Sequence, residues 1–297
     1  MINKNLFKKK FLIIISFVFI LSFLSISLHA QEKLWNELSV QANNLYQQRR
    51  YKEAVNVAKE ALKVAENTFG TDHPNVAQSL NNLALLYHSL RKDSEAMLLY
   101  EQSLKISEKA LGTYHPNVAQ TLNNLAVICQ NLGKYTEAES LNMRALSITE
   151  KNLGLNHLGV VKHLNNLAQL YIVQGKYIEA ESLYKRTLSI VGKKLQPNHP
   201  DVAVYLNNIG TLFKVQCRYN EAEPFFKQAI AIEEIAFGKN HPKIVASLKR
   251  LALLYKDQGK DVEAEIHYKR ALIIAEKAFG SESPEVKMLL KNMMIFI

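Results

Sequence analysis

The sequence predicts an all-α solenoid of about six helix pairs closed by one further helix, and three recurrences predict it. His-Pro stands at 73–74, 115–116, 199–200 and 241–242, with His157-Leu158 and Ser283-Pro284 in the remaining slots. Asn-Asn follows eight residues after the His at 81–82, 123–124, 165–166 and 207–208. An Ala keeps phase at 54, 96, 138, 180, 222 and 264. All three share a 42-residue spacing, and self-similarity at a fixed period of this length marks a repeat architecture.

The unit from His115 to Gly154 shows what is repeated. Pro116 suits the first turn of a helix, where its missing N–H costs nothing. Apolar residues at 118, 122, 125, 126 and 129 follow the stripe of an amphipathic helix, helix A. Gly133-Lys134 breaks the run as a turn. A second stripe at Ala138, Leu141, Ala145, Leu146 and Ile148 is helix B, ending at Leu153-Gly154 with Gly in the C′ position. The unit is therefore helix A, a tight turn, helix B and a loop of roughly ten residues. Neither helix can bury its apolar face alone, and stacked copies bury those faces against one another. Small residues mark the crossing of A and B: Ala84 with Ala96, Ala126 with Ala138, Ala168 with Ala180, Gly210 with Ala222, Ala252 with Ala264. Axes about 8–10 Å apart require them.

Leu122, Leu125, Ala126, Tyr135, Ala138 and Ala145 resemble the tetratricopeptide repeat pattern. That pattern usually has a 34-residue period, so 42 is a departure. The longer period, the LNNLA core, the GKYxEAE turn, the Leu-Gly and the His-Pro together resemble tetratricopeptide repeats of the kinesin light chain type, over about residues 34–297. Nothing in the chain resembles the coiled coil by which kinesin light chains join their motor, so a motor role is not implied.

Taken in order, residues 1–30 stand apart. Lys4 and Lys8 to Lys10 precede an apolar run from Phe11 to Leu28, and Leu28-His29-Ala30 resembles a cleavage site. This reads as a secretory signal peptide, with an uncleaved anchor as the alternative. Both place the remaining chain, 31–297, on the far side of a membrane, periplasmic or secreted, because the positive end stays inside. Without residues 1–30 the net charge falls from +10 to +6. No dense basic tract or nucleic-acid module accompanies that mild excess, so no nucleic-acid partner is expected.

The repeats are expected at about 34–70, 71–112, 113–154, 155–196, 197–238 and 239–280, with a closing helix in 283–297. The first is degenerate, lacking the Asn pair and carrying Gln41 in a slot that is otherwise Leu or Ile. Trp35 reads as a cap on the second repeat, since terminal repeats present one face to water. Repeat four, with His157-Leu158-Gly159, is expected to start its helix A more loosely. Pro224 falls near the start of a helix B, where Pro is tolerated. Repeat six replaces Asn-Asn with Lys249-Arg250, and the chain ends on an apolar tail, 293–297. Cys129 and Cys217 read as free thiols.

Chemistry-bearing patterns are sparse. The His ladder at 73, 115, 157, 199 and 241 is spread over successive repeats, too far apart for one zinc ion with ligands at about 2 Å. These His read as helix-start caps. Ser89-Leu90-Arg91-Lys92 has the spacing of a Ser-Lys nucleophile but none of its companion motifs. No HExxH, phosphate-binding Gly loop or CxxC occurs. The chain therefore reads as non-enzymatic, with no cofactor.

The informative set lies on helix A. With the Leu before Asn-Asn numbered 4, positions 4, 7, 8 and 11 face the core at about 100° per residue, and positions 2, 5, 6, 9, 12 and 13 face away. The resemblance implies that this second side lines a concave binding groove. The residues there include Gln78, Asn81, Asn82, Gln120, Asn123, Asn124, Lys162, Asn165, Asn166, Asn207, Asn208, Lys214, Lys249, Arg250 and Lys256. Side-chain amides both donate and accept, so such a ladder can grip an extended peptide backbone. The basic end suits an acidic stretch or a free C-terminal carboxylate. The expected function is an exported scaffold holding a protein segment; the alternative is a regulator sensing a small anionic molecule.

Overall fold

The computed structural model describes residues 28–293; most of the segment 1–30, which the sequence suggests is a signal peptide, and the apolar tail beyond Met293 lie outside them. Among the described residues there are thirteen α-helices, one short 3-10 turn and no strand. They fall into two compact units divided after Asn152.

The first unit holds α1 (28–47), α2 (Tyr51–Phe69), α3 (Pro74–Ser89), α4 (Asp93–Leu111), α5 (Pro116–Asn131) and α6 (Tyr135–Leu153). The second holds α7 (Leu158–Val173), α8 (Tyr177–Lys194), α9 (Pro200–Val215), α10 (Tyr219–Phe237), α11 (Val245–Asp257), α12 (Asp261–Phe279) and α13 (Pro284–Met293). Odd-numbered helices are the A helices and even-numbered ones the B helices. Within each unit, neighbours in sequence pack on one another, and α3 also touches α5 and α9 touches α11.

Each A helix begins with the same device. His73, His115, His157, His199 and His241 are extended, and each accepts at Nδ1 from the N–H two residues on, at 3.0–3.2 Å. A side-chain acceptor at this position satisfies one of the orphan N–H groups of a first turn. The His ladder is thus a set of N-caps. His157 caps α7 in register despite its Leu158 partner, so repeat four does not start loosely. The irregular start is in repeat six, where a 3-10 turn over Pro242–Ile244 precedes α11.

Helix B is longer than the sequence stripe suggested. It runs 19 residues in α2, α4, α6, α10 and α12, and the loop after it is four residues, such as Gly112 to His115, rather than roughly ten. Nothing before the Leu-Gly breaks the backbone, so the helix continues until Gly takes positive φ, between +83° and +92° at five of these ends. Repeat four has Leu195 there at φ −112°, and α8 stops one residue sooner. Pro224 proves to be the sixth residue of α10, deeper than expected; lacking an N–H, it leaves the Asn220 carbonyl without its helical donor.

The cores match the small-residue reading. Ala84, Ala96, Ala126 and Ala138 in the first unit, and Ala168, Ala180, Ala222, Ala252 and Ala264 in the second, are fully buried. Tyr100, Tyr184, Phe226 and Tyr268 fill one repeating slot on the B helices, each buried. Burying one such large side chain contributes roughly 1.5–3 kcal/mol. The second unit's core runs from Ala168 to Leu289, with Met293 packed on its margin. In the first unit Trp35 is 6% exposed and donates from Nε1 to Ser79 Oγ at 2.8 Å, the capping contact onto repeat two that the sequence suggested. Gln41, by contrast, is exposed. No helix among the described residues is long and apolar enough to cross a membrane.

Candidate functional site

The outward side of helix A divides in two. Position 5 stands about 110° from the centre of the core stripe, whereas positions 2, 6, 9 and 13 stand about 150–170° from it at 100° per residue. The position-5 asparagines accordingly turn into the stack. Asn81 Nδ2 donates to Ser103 Oγ on α4 and, at 2.8 Å, to Thr121 Oγ1 on α5. Ser103 Oγ donates to the Ala77 carbonyl at 2.7 Å. Asn207 Nδ2 donates to Ser247 Oγ on α11 at 2.7 Å. Asn123 and Asn207 are only 3% and 4% exposed. For these two the reading as groove contacts gives way to a place in the seam between helices. Their flanking angle is the reason.

Position 6 is half-buried throughout the Asn series, at Asn82, Asn124, Asn166 and Asn208. Asn124 Oδ1 accepts from Gln120 at 2.9 Å, and its amide reaches the buried Tyr100 hydroxyl. Asn208 Nδ2 donates to Asn165 Oδ1 at 2.6 Å, joining α9 to α7. Asn166 also has a partner. Asn82 is different, and it opens onto a cleft.

That cleft lies between α1 and α3 in the first unit, with a volume of about 340 Å3. Trp35, Ala42 and Leu86 form its buried floor. The Trp35 indole is fixed there by Ser79 and by an edge-on contact with Phe69 at 5.9 Å. Asn36, Ser39, Asn43, Gln78 and Asn82 surround the opening with Val40 and Leu85 between them. Val40 is 59% exposed and Leu85 36%. No charged side chain lines it. The amides of Asn36, Asn43, Gln78 and Asn82 make no side-chain hydrogen bond among the described residues. Sequence reasoning placed Asn82 and Gln78 on this face but missed the α1 half, because repeat one lacks the Asn pair. Counting back 42 residues would have found it: Asn36, Val40 and Asn43 answer to Gln78, Asn82 and Leu85.

In the second unit the expected basic end is partly neutralised. Lys214 Nζ lies 2.5 Å from Asp257 Oδ2. Lys256 is half-buried with a partner of its own. Burial lowers the Lys162 ammonium below its ordinary value although the residue still reaches solvent. Burial raises the Glu233 carboxyl, against a hydrogen bond to Ser247 and the attraction of Arg250. Lys249 and Arg250 border a second, mainly apolar cleft of about 400 Å3 with Ala246, Phe279, Glu285 and Met288.

The Ser-Lys spacing builds nothing: Ser89 Oγ donates to the Leu85 carbonyl of its own helix at 2.9 Å, and Lys92 pairs with Glu95 at 3.5 Å. Cys129 is buried and Cys217 exposed, both free; burial pushes the Cys129 thiol up to about 11.

Among solved structures, nearly identical TPR-like repeats from Podosopora anserina, described as those of a kinesin light chain, are 25% identical to this chain with a TM-score of 0.60, over 68% of this chain and 96% of that one. BtubC from P. vanneervenii is 22% identical, with a TM-score of 0.62 over 80% of this chain and 93% of that one. The apo quorum sensor NprR from B. thuringiensis is 15% identical, with a TM-score of 0.64 over 88% and 70%. No curated protein matches the sequence. The family description "Tetratricopeptide repeat" matches residues 38–109, 99–151, 117–193, 159–235 and 201–277. Such a fold implies a scaffold for protein–protein interaction, a role that is generally non-enzymatic. Helix pairs recurring every 42 residues, together with family matches that span nearly the whole described chain, establish that the protein belongs to the tetratricopeptide repeat family.

Proposed function

We propose that this protein is an exported scaffold that holds an extended segment of a partner protein against the outward faces of its A helices. The observation that carries the reading is the cleft between α1 and α3, where unpartnered amides surround an apolar floor. Pockets of this make-up, mainly apolar with a few polar groups, fix a ligand's orientation. Export rests on the basic, apolar and small-residue order of residues 1–30. Lys162, Lys249 and Arg250 of the second unit favour an acidic stretch or a carboxylate in the same partner.

Affinity capture from the exported fraction tests this, using the native chain beside a variant with Gln78→Ala, Asn82→Ala and Arg250→Ala at equal helicity. Retention of one protein by the native chain alone supports the reading. Equal retention by both moves binding to the loops or the B helices. A mature chain beginning at Gln31 supports export with cleavage.

A second reading, a regulator that binds a small anionic molecule, is favoured by the cleft of the second unit, where Lys249 and Arg250 border an apolar surface. It predicts a thermal shift with an amphiphilic carboxylate that Arg250→Ala abolishes.

A further inference from the structure

We infer that the outer face of the B helices in the second unit, centred on α12, is a docking surface for an anionic lipid bilayer. It belongs to the B helices, not to the A-helix face, and does not rest on the scaffold reading.

Five positions define the face on α12: Val262, Ile266, Lys269, Ile273 and Lys277. At 100° per residue they fall within about 80° of one another, and they run about 22 Å along the axis. All five are exposed. Val262, Ile266 and Ile273 are 69%, 59% and 65% exposed, on a helix whose opposite side, with Ala264, Tyr268, Ala271 and Ala275, is buried. The same positions include Lys227 and Ile235 on α10, and Ile178 and Lys185 on α8, all exposed. None of the fifteen positions on these three helices holds an acid, an aromatic residue or an Arg. The first unit lacks this face. Its counterparts on α2 are Lys52, Asn56, Lys59, Lys63 and Asn67, without an apolar side chain, and those on α4 include Glu101.

This composition selects the partner. Exposed apolar patches mark contacts with proteins or membranes. The buried centre of a protein interface is enriched in aromatic residues and Arg and depleted of Lys, the reverse of what stands here. Aliphatic side chains interspersed with Lys suit lipid: the apolar groups enter the boundary between headgroups and acyl chains, and the ammonium groups meet phosphates. Lys185, Lys227 and Lys269 pair at 2.6–2.8 Å with Glu181, Glu223 and Glu265, one turn earlier. Such exposed pairs are weak. Arg218 also holds Glu181 and Tyr255 also holds Glu223, so Lys185 and Lys227 turn to a headgroup without stranding either acid. Lys193 and Lys277 make no ion pair among the described residues. No helix among those residues is long and apolar enough to cross a membrane, so the contact is one of surface docking.

Amine-reactive labelling of the full chain, read lysine by lysine by mass spectrometry, tests this on two kinds of vesicle. One is phosphatidylcholine alone, the other an equimolar mixture with phosphatidylglycerol. The expected result is that Lys269 and Lys277 react about fivefold more slowly on the anionic vesicles only, while Lys59 and Lys63 keep their rate. Added salt should weaken the protection, and the double variant Ile266→Asp, Ile273→Asp should abolish it. Both replaced side chains are exposed, and circular dichroism checks that helicity is kept. Equal reactivity of Lys269 and Lys277 on both vesicles would overturn the proposal, as would protection that survives the double variant. Equal protection of Lys59 and Lys63 would assign the contact to residues 1–30 and overturn it too. Protection by a soluble acidic protein but not by vesicles would replace lipid with protein as the occupant, and so overturn it.

Discussion

Gly210 on α9 and Phe226 on α10 meet so closely that a Cβ on Gly210 would lie 2.8 Å from the Phe226 ring. Every other crossing in the second unit has Ala in this slot: Ala168 opposite Tyr184 and Ala252 opposite Tyr268, all buried. In repeat five the glycine is a consequence of where the phenyl ring sits. Helix propensity alone favours Ala by about 1 kcal/mol. Overpacking the ring costs roughly 1–3 kcal/mol. Gly210→Ala is therefore expected to destabilise by up to about 2 kcal/mol. Gly192, inside α8 with nothing within 4 Å of its Cβ position, is the control: Gly192→Ala should stabilise by about 0.5–1 kcal/mol. Urea unfolding of the pair checks both signs.

The turns between A and B helices give a second test. Their left-handed position is Gly133, Gly175 and Gly259 in three repeats but Arg49, Arg91 and Cys217 in the others, at φ near +60°. A side chain in that region strains the backbone by about 1–2 kcal/mol, partly offset by the extra entropy a glycine loses on folding. Cys217→Gly and Arg91→Gly should each raise stability by about 0.5–1 kcal/mol, and Gly175→Ala should lower it by about 1 kcal/mol. Thermal melts of the three single variants measure this directly.

How much of this was legible in the sequence differs between fold and site. Period, helix order and the crossing alanines were legible because each depends on local chemistry repeated several times. The His caps were legible for the same reason, since His-Pro fixes an extended residue ahead of a helix. The length of helix B was not, because its outer turns carry polar residues that weaken the stripe and only Gly marks the stop. The site was read at the coarse level of one helix face. Whether Asn81 or Asn82 looks outward turns on about 100° of rotation and on Thr121, which lies 40 residues away. The α1 half of the cleft was missed because a terminal repeat departs from the pattern that made the others readable.

The two halves of one Asn pair should behave oppositely. Asn81→Ala removes the donor that Ser103 and Thr121 share and cuts a tie among three helices. Both hydroxyls keep the bonds they donate, to the Ala77 and Asn117 carbonyls, so the loss is that of two hydrogen bonds at about 0.5–1.5 kcal/mol each, and the midpoint of urea unfolding should fall. Asn82→Ala breaks no hydrogen bond among the described residues and should change stability by less than about 0.5 kcal/mol, while weakening peptide binding. A large loss of stability from Asn82→Ala with no change from Asn81→Ala would reverse the assignment of seam and surface.

His163 supplies a pH signature for the second unit. Burial, helped by the neighbouring Lys162 charge, lowers its imidazole to about 4 from the ordinary 6.5, and the residue is 7% exposed. Above pH 6.5 both folded and unfolded chains hold it neutral and it costs nothing. As pH falls below 6.5 the unfolded chain takes up a proton that the folded chain refuses, so stability drops until pH reaches about 4 and both are charged. With 1.36 kcal/mol per unit, the loss from this residue is about 2 kcal/mol at pH 5 and approaches about 3 kcal/mol near pH 4. His163→Gln removes the titrating group while keeping a polar side chain in the seam. Carboxylates titrate alike in both chains over the same range, so the difference between them isolates His163. Between pH 7.5 and pH 5 the native chain should lose about 2 kcal/mol more than the variant in urea unfolding. Parallel losses in both would show that His163 becomes protonated within the folded unit, and that its surroundings admit water or an acidic partner at low pH.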